Sequence, residues 1–259
     1  QLKILSARPD QSKYQNIKHH LYGFHDVKKN FSTGNWLKLV TKKVEEIKKR
    51  KKTPILVGGT GLYFKSLTDG LVKIPNIPAK IRNQIRTQQL KMGQNKFFKK
   101  LLKLDPASKY KINPTDPQRS IRAYEVRLYT QTSIHEWYKN TKSDFKKTDF
   151  YKIYIDFPRT ELIERINLRS KEMIKIGAIK EVKNFIKLKV RKDKSVNKAI
   201  GINEIRQYLN YQKELEETIE NISIKTRQYA KRQSTWARGN MNSWFKLKPN
   251  ELNNFLKKI

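Results

Sequence analysis

The stretch Pro54-Ile-Leu-Val-Gly-Gly-Thr-Gly-Leu-Tyr63 limits the possible folds of this chain more than any other. An apolar run that ends in glycines and at once reopens as a helix reads as strand, loop and helix in direct succession. Its neighbours continue the alternation. Residues 17–26 predict a short strand entering a loop, and Ser32–Lys52 predicts a helix with Trp36, Leu37, Val40, Val44 and Ile47 on one stripe. Pro54–Gly59 predicts a buried strand, and Tyr151–Phe157 restores the strand signal further on. Strand, helix, strand, loop and helix in this order call for a parallel sheet with helices on its faces, an α/β class.

Residues 72–148 differ in character. Pro75, Pro78, Pro106, Pro114 and Pro117 punctuate helical patterns there, and no strand signal interrupts them. The chain therefore divides into an α/β core over 1–71, a helical insertion over 72–148, and a return to the core with C-terminal helices over 149–259. Within the insertion, Asp116 stands where an N-cap belongs and Pro117 at the first helical position. That start points Gln118, Arg119 and Arg122 outward and leaves Ala123, Val126 and Leu128 for the core. In the last segment a helical pattern over 160–188 is broken at Gly177, and a loop lies around 190–200.

Lys225–Arg238 predicts a helix with two unlike faces. At about 100° per residue, Arg227, Lys231 and Arg238 fall within about 40° of one another, flanked by Gln228, Arg232 and Thr235. Ile219, Ile222, Thr226, Tyr229, Gln233 and Trp236 form a mostly apolar stripe elsewhere. Guanidinium, amide and hydroxyl groups on a helix anchored by its other face suit a nucleic-acid backbone; a plain solvated surface helix is the competing reading. The charge balance bears on the choice. Lys plus Arg number 58 against 23 Asp plus Glu, a formal +35, which favours a polyanionic partner. The absence of Cys rules out disulfides and thiolate metal sites and fits reducing cytoplasm. The four His show no metal-ligand spacing, and no apolar run approaches a membrane span.

Two further features could carry chemistry. The Gly58–Gly61 junction lets backbone approach a ligand, with Thr60 at its exposed tip. It is not a P-loop, because Phe64 occupies the place of the second glycine. Arg165 and Arg169 are spaced i, i+4 just after a strand. Such a pair can clamp a diphosphate or salt-bridge to Glu161 and Glu172.

Six segments in order resemble the tRNA dimethylallyltransferase (tRNA isopentenyltransferase) family: Leu2–Pro9, His19–Tyr22, the Val57–Tyr63 junction, Asp116–Ala123, Ala199–Gly201 and Lys225–Arg238. The resemblance runs from about Leu2 to Trp244. It implies a P-loop-NTPase-like parallel sheet core with an inserted helical subdomain and a helical C-terminal region. It also implies transfer of a dimethylallyl group from dimethylallyl diphosphate to the exocyclic amine of the adenosine 3′-adjacent to the anticodon, with that base drawn from its stack. By the same resemblance Thr60 lines the site beside the target base, and Arg169, with Arg165, touches the diphosphate. The tRNA anticodon stem-loop is then held by Arg82, Gln118, Arg119, Ser120, Arg122, Lys231, Arg232, Gln233, Thr235, Trp236 and Arg238. Magnesium is the expected cofactor, and a monomer in the cytoplasm the expected form. Ile202 and Asn203 depart from the family pattern, so no specific contact is expected there.

The family's phosphate-binding loop and its general-base Asp would precede Gln1, about 30–40 residues, one strand–loop–helix–strand unit. The chain as given is therefore expected to be inactive. Alternatives are a non-catalytic RNA-binding protein and an isopentenyltransferase acting on free adenine nucleotides. A free nucleotide needs neither the helical insertion nor the basic C-terminal helix.

Overall fold

A computed structural model describes residues 2–10, 12, 14 and 16–257. The first helix, α1 (Thr33–Lys49), starts where Ser32 takes the amide of Asn35 on its hydroxyl, and Lys48 and Lys49 close it against the dipole. Val40 and Val44 are its buried residues. There follow α2 (Gly61–Thr68), α3 (Ala79–Met92), α4 (Gln94–Leu104), α5 (Pro117–Thr130) and α6 (Ile134–Lys139). Strand β1 (Ile153–Ile155) leads into α7 (Arg159–Lys175), α8 (Ala178–Lys187), α9 (Ile202–Leu209) and α10 (Leu215–Asn240). Strand β2 (Phe245–Leu247) and α11 (Leu252–Leu256) complete the order.

The chain forms two compact units, Gln1–Phe64 with Thr148–Ile259, and Lys65–Lys147. The second begins earlier than position 72. Leu67 is buried and its carbonyl accepts the Ser143 hydroxyl at 2.6 Å. Gly70, at φ +97°, lies so close to the Lys142–Ser143 backbone that a Cβ would meet it at 2.2 Å. These contacts tie 67–70 to the end of the same unit. Its core gathers Ile85 from α3, Phe97, Phe98 and Leu101 from α4, and Ala123, Tyr124 and Val126 from α5. Asp116 caps α5 through the Arg119 amide and Pro117 opens the helix, as the sequence predicts. Leu128 is 42% exposed, however, and belongs to the surface.

In the first unit β1 and β2 pair in parallel, Ile153 with Phe245 and Ile155 with Leu247. Helices α7 to α10 form the crossover that a parallel pair requires. Met173, Ala178, Val182, Ile205 and Ile222 make the core, with Ile4 and Leu5 packed on its rim. The Ile4 and Leu5 amides both donate to Glu181, at 2.8 and 3.0 Å. Gly177, at φ +102°, separates α7 from α8 at the predicted break. Ile202, fully buried at the start of α9, is a core residue, which explains its apolar identity.

The class is α/β, a small parallel sheet within a mostly helical chain. Two strand expectations need correction. Residues 17–26 run as bends and irregular chain. Pro54–Gly59 is not a buried strand: Ile55 and Val57 are 80% and 81% exposed. A strand exists only through pairing, and among the described residues no ladder lies beside this one.

Candidate nucleic-acid interface

The glycine junction and α10 meet within the first unit. Gln233 donates its side-chain amide to the Gly59 carbonyl at 2.8 Å. A Cβ on Gly59 would fall 2.2 Å from Gln233, and one on Gly61 would fall 2.2 Å from the Trp236 ring. The absence of side chains at 59 and 61 is thus what lets the turn sit against the helix. Between these glycines Thr60 is exposed, and its carbonyl accepts the amides that start α2. Trp36 stacks on Tyr63 at 4.4 Å and 15°, pinning the far side of the same turn.

Alongside the contact, Gln228, Lys231, Arg232, Thr235 and Trp236 line a shallow groove of about 490 Å³. Lys231, Arg232, Thr235 and Arg238 are exposed, and Gln233 and Trp236 half-buried. Arg232 rests its guanidinium 5.8 Å from the centre of the Tyr229 ring, a cation–π contact that leaves its edge to solvent. Among the described residues no carboxylate lies within ion-pair distance of Lys231, Arg232 or Arg238.

The start of the basic helix is different. Lys225 pairs with buried Glu204. Arg227 bridges Asn167 on α7 at 3.0 Å and Glu220 at 2.7 Å. Arg227 therefore braces α10 on α7, and the cations open to a ligand begin at Lys231.

Arg165 and Arg169 lie exposed on α7. Neither pairs with Glu161 or Glu172 among the described residues, which leaves the salt-bridge alternative without support. Arg165 instead covers the Phe157 ring at 4.8 Å.

A second cationic surface lies in the other unit. Gln118 and Arg119 are exposed in the first turn of α5. Ser120 needs correction: it is fully buried, donating to the Asp116 carbonyl at 2.7 Å and accepting Gln94 at 3.0 Å, so its hydroxyl faces no ligand. Arg82 on α3 and Arg122 on α5 approach Glu125 at 3.9 and 3.5 Å, and Arg86 joins them at 3.6 Å. Sequence reasoning passed over Arg86 and Glu125. The i, i+4 spacing of Arg82 with Arg86 and the i, i+3 spacing of Arg122 with Glu125 were the available signals. Nearby Tyr138 has its phenol held above the usual tyrosine range by burial, against an opposing pull from Arg122 and Arg119.

Among the described residues no three His, Cys, Asp or Glu groups converge as a metal site. No helix among these residues is long and apolar enough to cross a membrane.

A parallel strand pair with a helical crossover, a separate helical unit and a groove lined by Lys231 and Arg232 beside a glycine turn define an α/β protein with an exposed cationic surface. The comparisons give the family. Residues 1–240 match the model of the family described as IPP transferase. A tRNA dimethylallyltransferase of Pelagibacter ubique (strain HTCC1062) is 59% identical over 258 residues, covering 100% of this chain and 82% of that protein. The crystal structure of the full-length tRNA isopentenylpyrophosphate transferase from Bacillus halodurans is similar with a TM-score of 0.64 at 29% identity, over 99% of this chain and 83% of that one. A eukaryotic dimethylallyltransferase captured acting on tRNA shares the fold, with a TM-score of 0.80 at 23% identity, over 96% of this chain and 64% of its own. The chain belongs to the IPP transferase family.

Proposed function

We propose that this protein transfers a dimethylallyl group from dimethylallyl diphosphate to the exocyclic amine of the adenosine 3′-adjacent to the anticodon. The observation that carries the reading is the Gly59–Gly61 turn seated on Gln233 and Trp236, beside a groove whose cations have no carboxylate partner among the described residues. In this reading Lys231, Arg232 and Arg238, with Gln233, Thr235 and Trp236, hold the RNA hairpin, and Arg82, Gln118, Arg119 and Arg122 hold it from the insertion. Thr60 stands beside the flipped base. The amine nitrogen attacks the allylic carbon, the carbon–oxygen bond to the diphosphate breaks with its electron pair staying on the diphosphate oxygen, and the amine gives up a proton to water. Arg169 and Arg165 stabilise the charge that develops on the departing diphosphate.

Mass spectrometry of tRNA nucleosides from cells lacking the gene tests this. The prenylated adenosine should vanish and return on complementation. Its persistence in the deletion strain would overturn the assignment, and prenylated free adenine nucleotides in place of tRNA would move the enzyme to another substrate class.

A further inference from the structure

Glu125 is 2% exposed in a unit whose surface is overwhelmingly basic. Buried carboxylates are costly unless matched by charge and hydrogen bonds. This one is matched by charge alone. Arg82, Arg86 and Arg122 surround it at 3.9, 3.6 and 3.5 Å, beyond good hydrogen-bond reach. Both Glu125 Oε1 and Arg82 Nε are buried with no hydrogen-bond partner. The three arginine side chains are themselves 43%, 52% and 42% exposed. The carboxylate thus gathers three guanidiniums that would otherwise repel one another, facing Nε of Arg82 and Arg86 and one Nη of Arg122 across ion-pair rather than hydrogen-bond distances.

The outward face is coherent. At about 100° per residue, Gln118, Arg122 and Glu125 fall within about 60° on α5. Arg82 and Arg86 stand one turn apart on α3, which packs against it. Three positive charges over one negative leave a surplus of two. Guanidiniums that remain about half exposed can turn their outer Nη donors to phosphate oxygens, which they match in shape as well as charge.

We infer that Glu125 is a positioning residue: buried beneath Arg82, Arg86 and Arg122, it gathers them into a site for a backbone phosphodiester of the RNA. The inference rests on the proposed tRNA substrate and adds Arg86 and Glu125 to the surface that holds it. It makes a prediction opposite in sign to simple electrostatics. Removing a negative charge beside a polyanion should tighten binding; removing a positioning carboxylate should loosen it.

The test titrates the purified protein with an anticodon-stem-loop hairpin across a range of salt concentrations. Binding by the unsubstituted protein comes first, and its failure would count against the proposed substrate rather than against Glu125. Given binding, Glu125→Gln should weaken it roughly threefold to tenfold and lower the salt slope by about one to two. Equal or tighter binding by a folded Glu125→Gln protein overturns the inference. Arg86→Gln, a change at a half-exposed side chain, provides the second arm should Glu125→Gln not fold. It should lower the slope by about one, and an unchanged slope overturns the inference. Inorganic diphosphate distinguishes the other source of phosphate. Its affinity should be the same in Arg86→Gln, and a selective loss there would also overturn the assignment to RNA.

Discussion

Gln233 and Gly59, far apart in sequence, are joined by a 2.8 Å hydrogen bond from the side-chain amide to the backbone carbonyl. The bond couples the exposed turn that carries Thr60 to the helix that carries the cationic groove. Local sequence identity on either side therefore acts on both.

Gly61→Ala tests that coupling. The new Cβ would stand 2.2 Å from the Trp236 ring, which lines the groove. The ring must move, and overpacking of this kind costs about 1–3 kcal/mol. We expect a lower melting temperature and weaker hairpin binding. A variant that matches the parent in both would show that turn and helix are not held together in solution.

Thr60→Ala removes an exposed hydroxyl at the tip of the turn. It should lower the fraction of tRNA modified in complemented cells while leaving hairpin affinity of the purified protein near the parent's. Full modification would take Thr60 out of the reacting centre.

Arg232→Glu with Arg238→Glu reverses two exposed cations that have no acidic partner among the described residues. The hairpin should bind more weakly, and the slope of log affinity against log salt should fall by at least about two. If neither changes, α10 presents only a solvated face.

Acid should loosen the helical unit through His135. Burial and then Lys111 hold its imidazole below the ordinary histidine value, while Asp105 and Glu136 pull weakly the other way. The ring lies 3.2 Å from the buried Ser108 hydroxyl, which donates to Asp105. The unfolded chain binds the proton at higher pH than the folded one. The contribution is therefore present above about pH 6.5 and is lost as pH falls through the depressed folded value. Melting temperature should drop between about pH 7.5 and about pH 5, and His135→Gln should flatten that drop. Parallel curves would remove His135 as the cause.

Much of the helical architecture was legible because its causes are local. Ser32 before α1, Asp116 and Pro117 before α5, and Gly177 between α7 and α8 act through neighbouring backbone, so sequence shows them directly. The strands were less legible. Phe245–Leu247 carries no signal of its own and becomes β2 only by meeting β1, distant in sequence. Pro54–Gly59 shows the converse, a strand-like composition with no ladder among the described residues. The site divided along the same line. Exposure at Lys231, Arg232, Thr235 and Arg238 followed from helical periodicity. The burial of Ser120 and the bracing of α10 by Arg227 depend on partners in other elements, and at Glu125 local spacing could pair only Arg122, while the approach of Arg82 and Arg86 depends on the packing of α3 against α5.

The bare Ile55–Val57 ribbon has a practical corollary for handling the protein. Two copies that zipped together there would shield greasy side chains that each alone leaves wet, while a formal +35 on each copy opposes their approach. Concentrated stocks should therefore keep best in dilute buffer, where that repulsion reaches furthest, and cloud as added electrolyte quiets it.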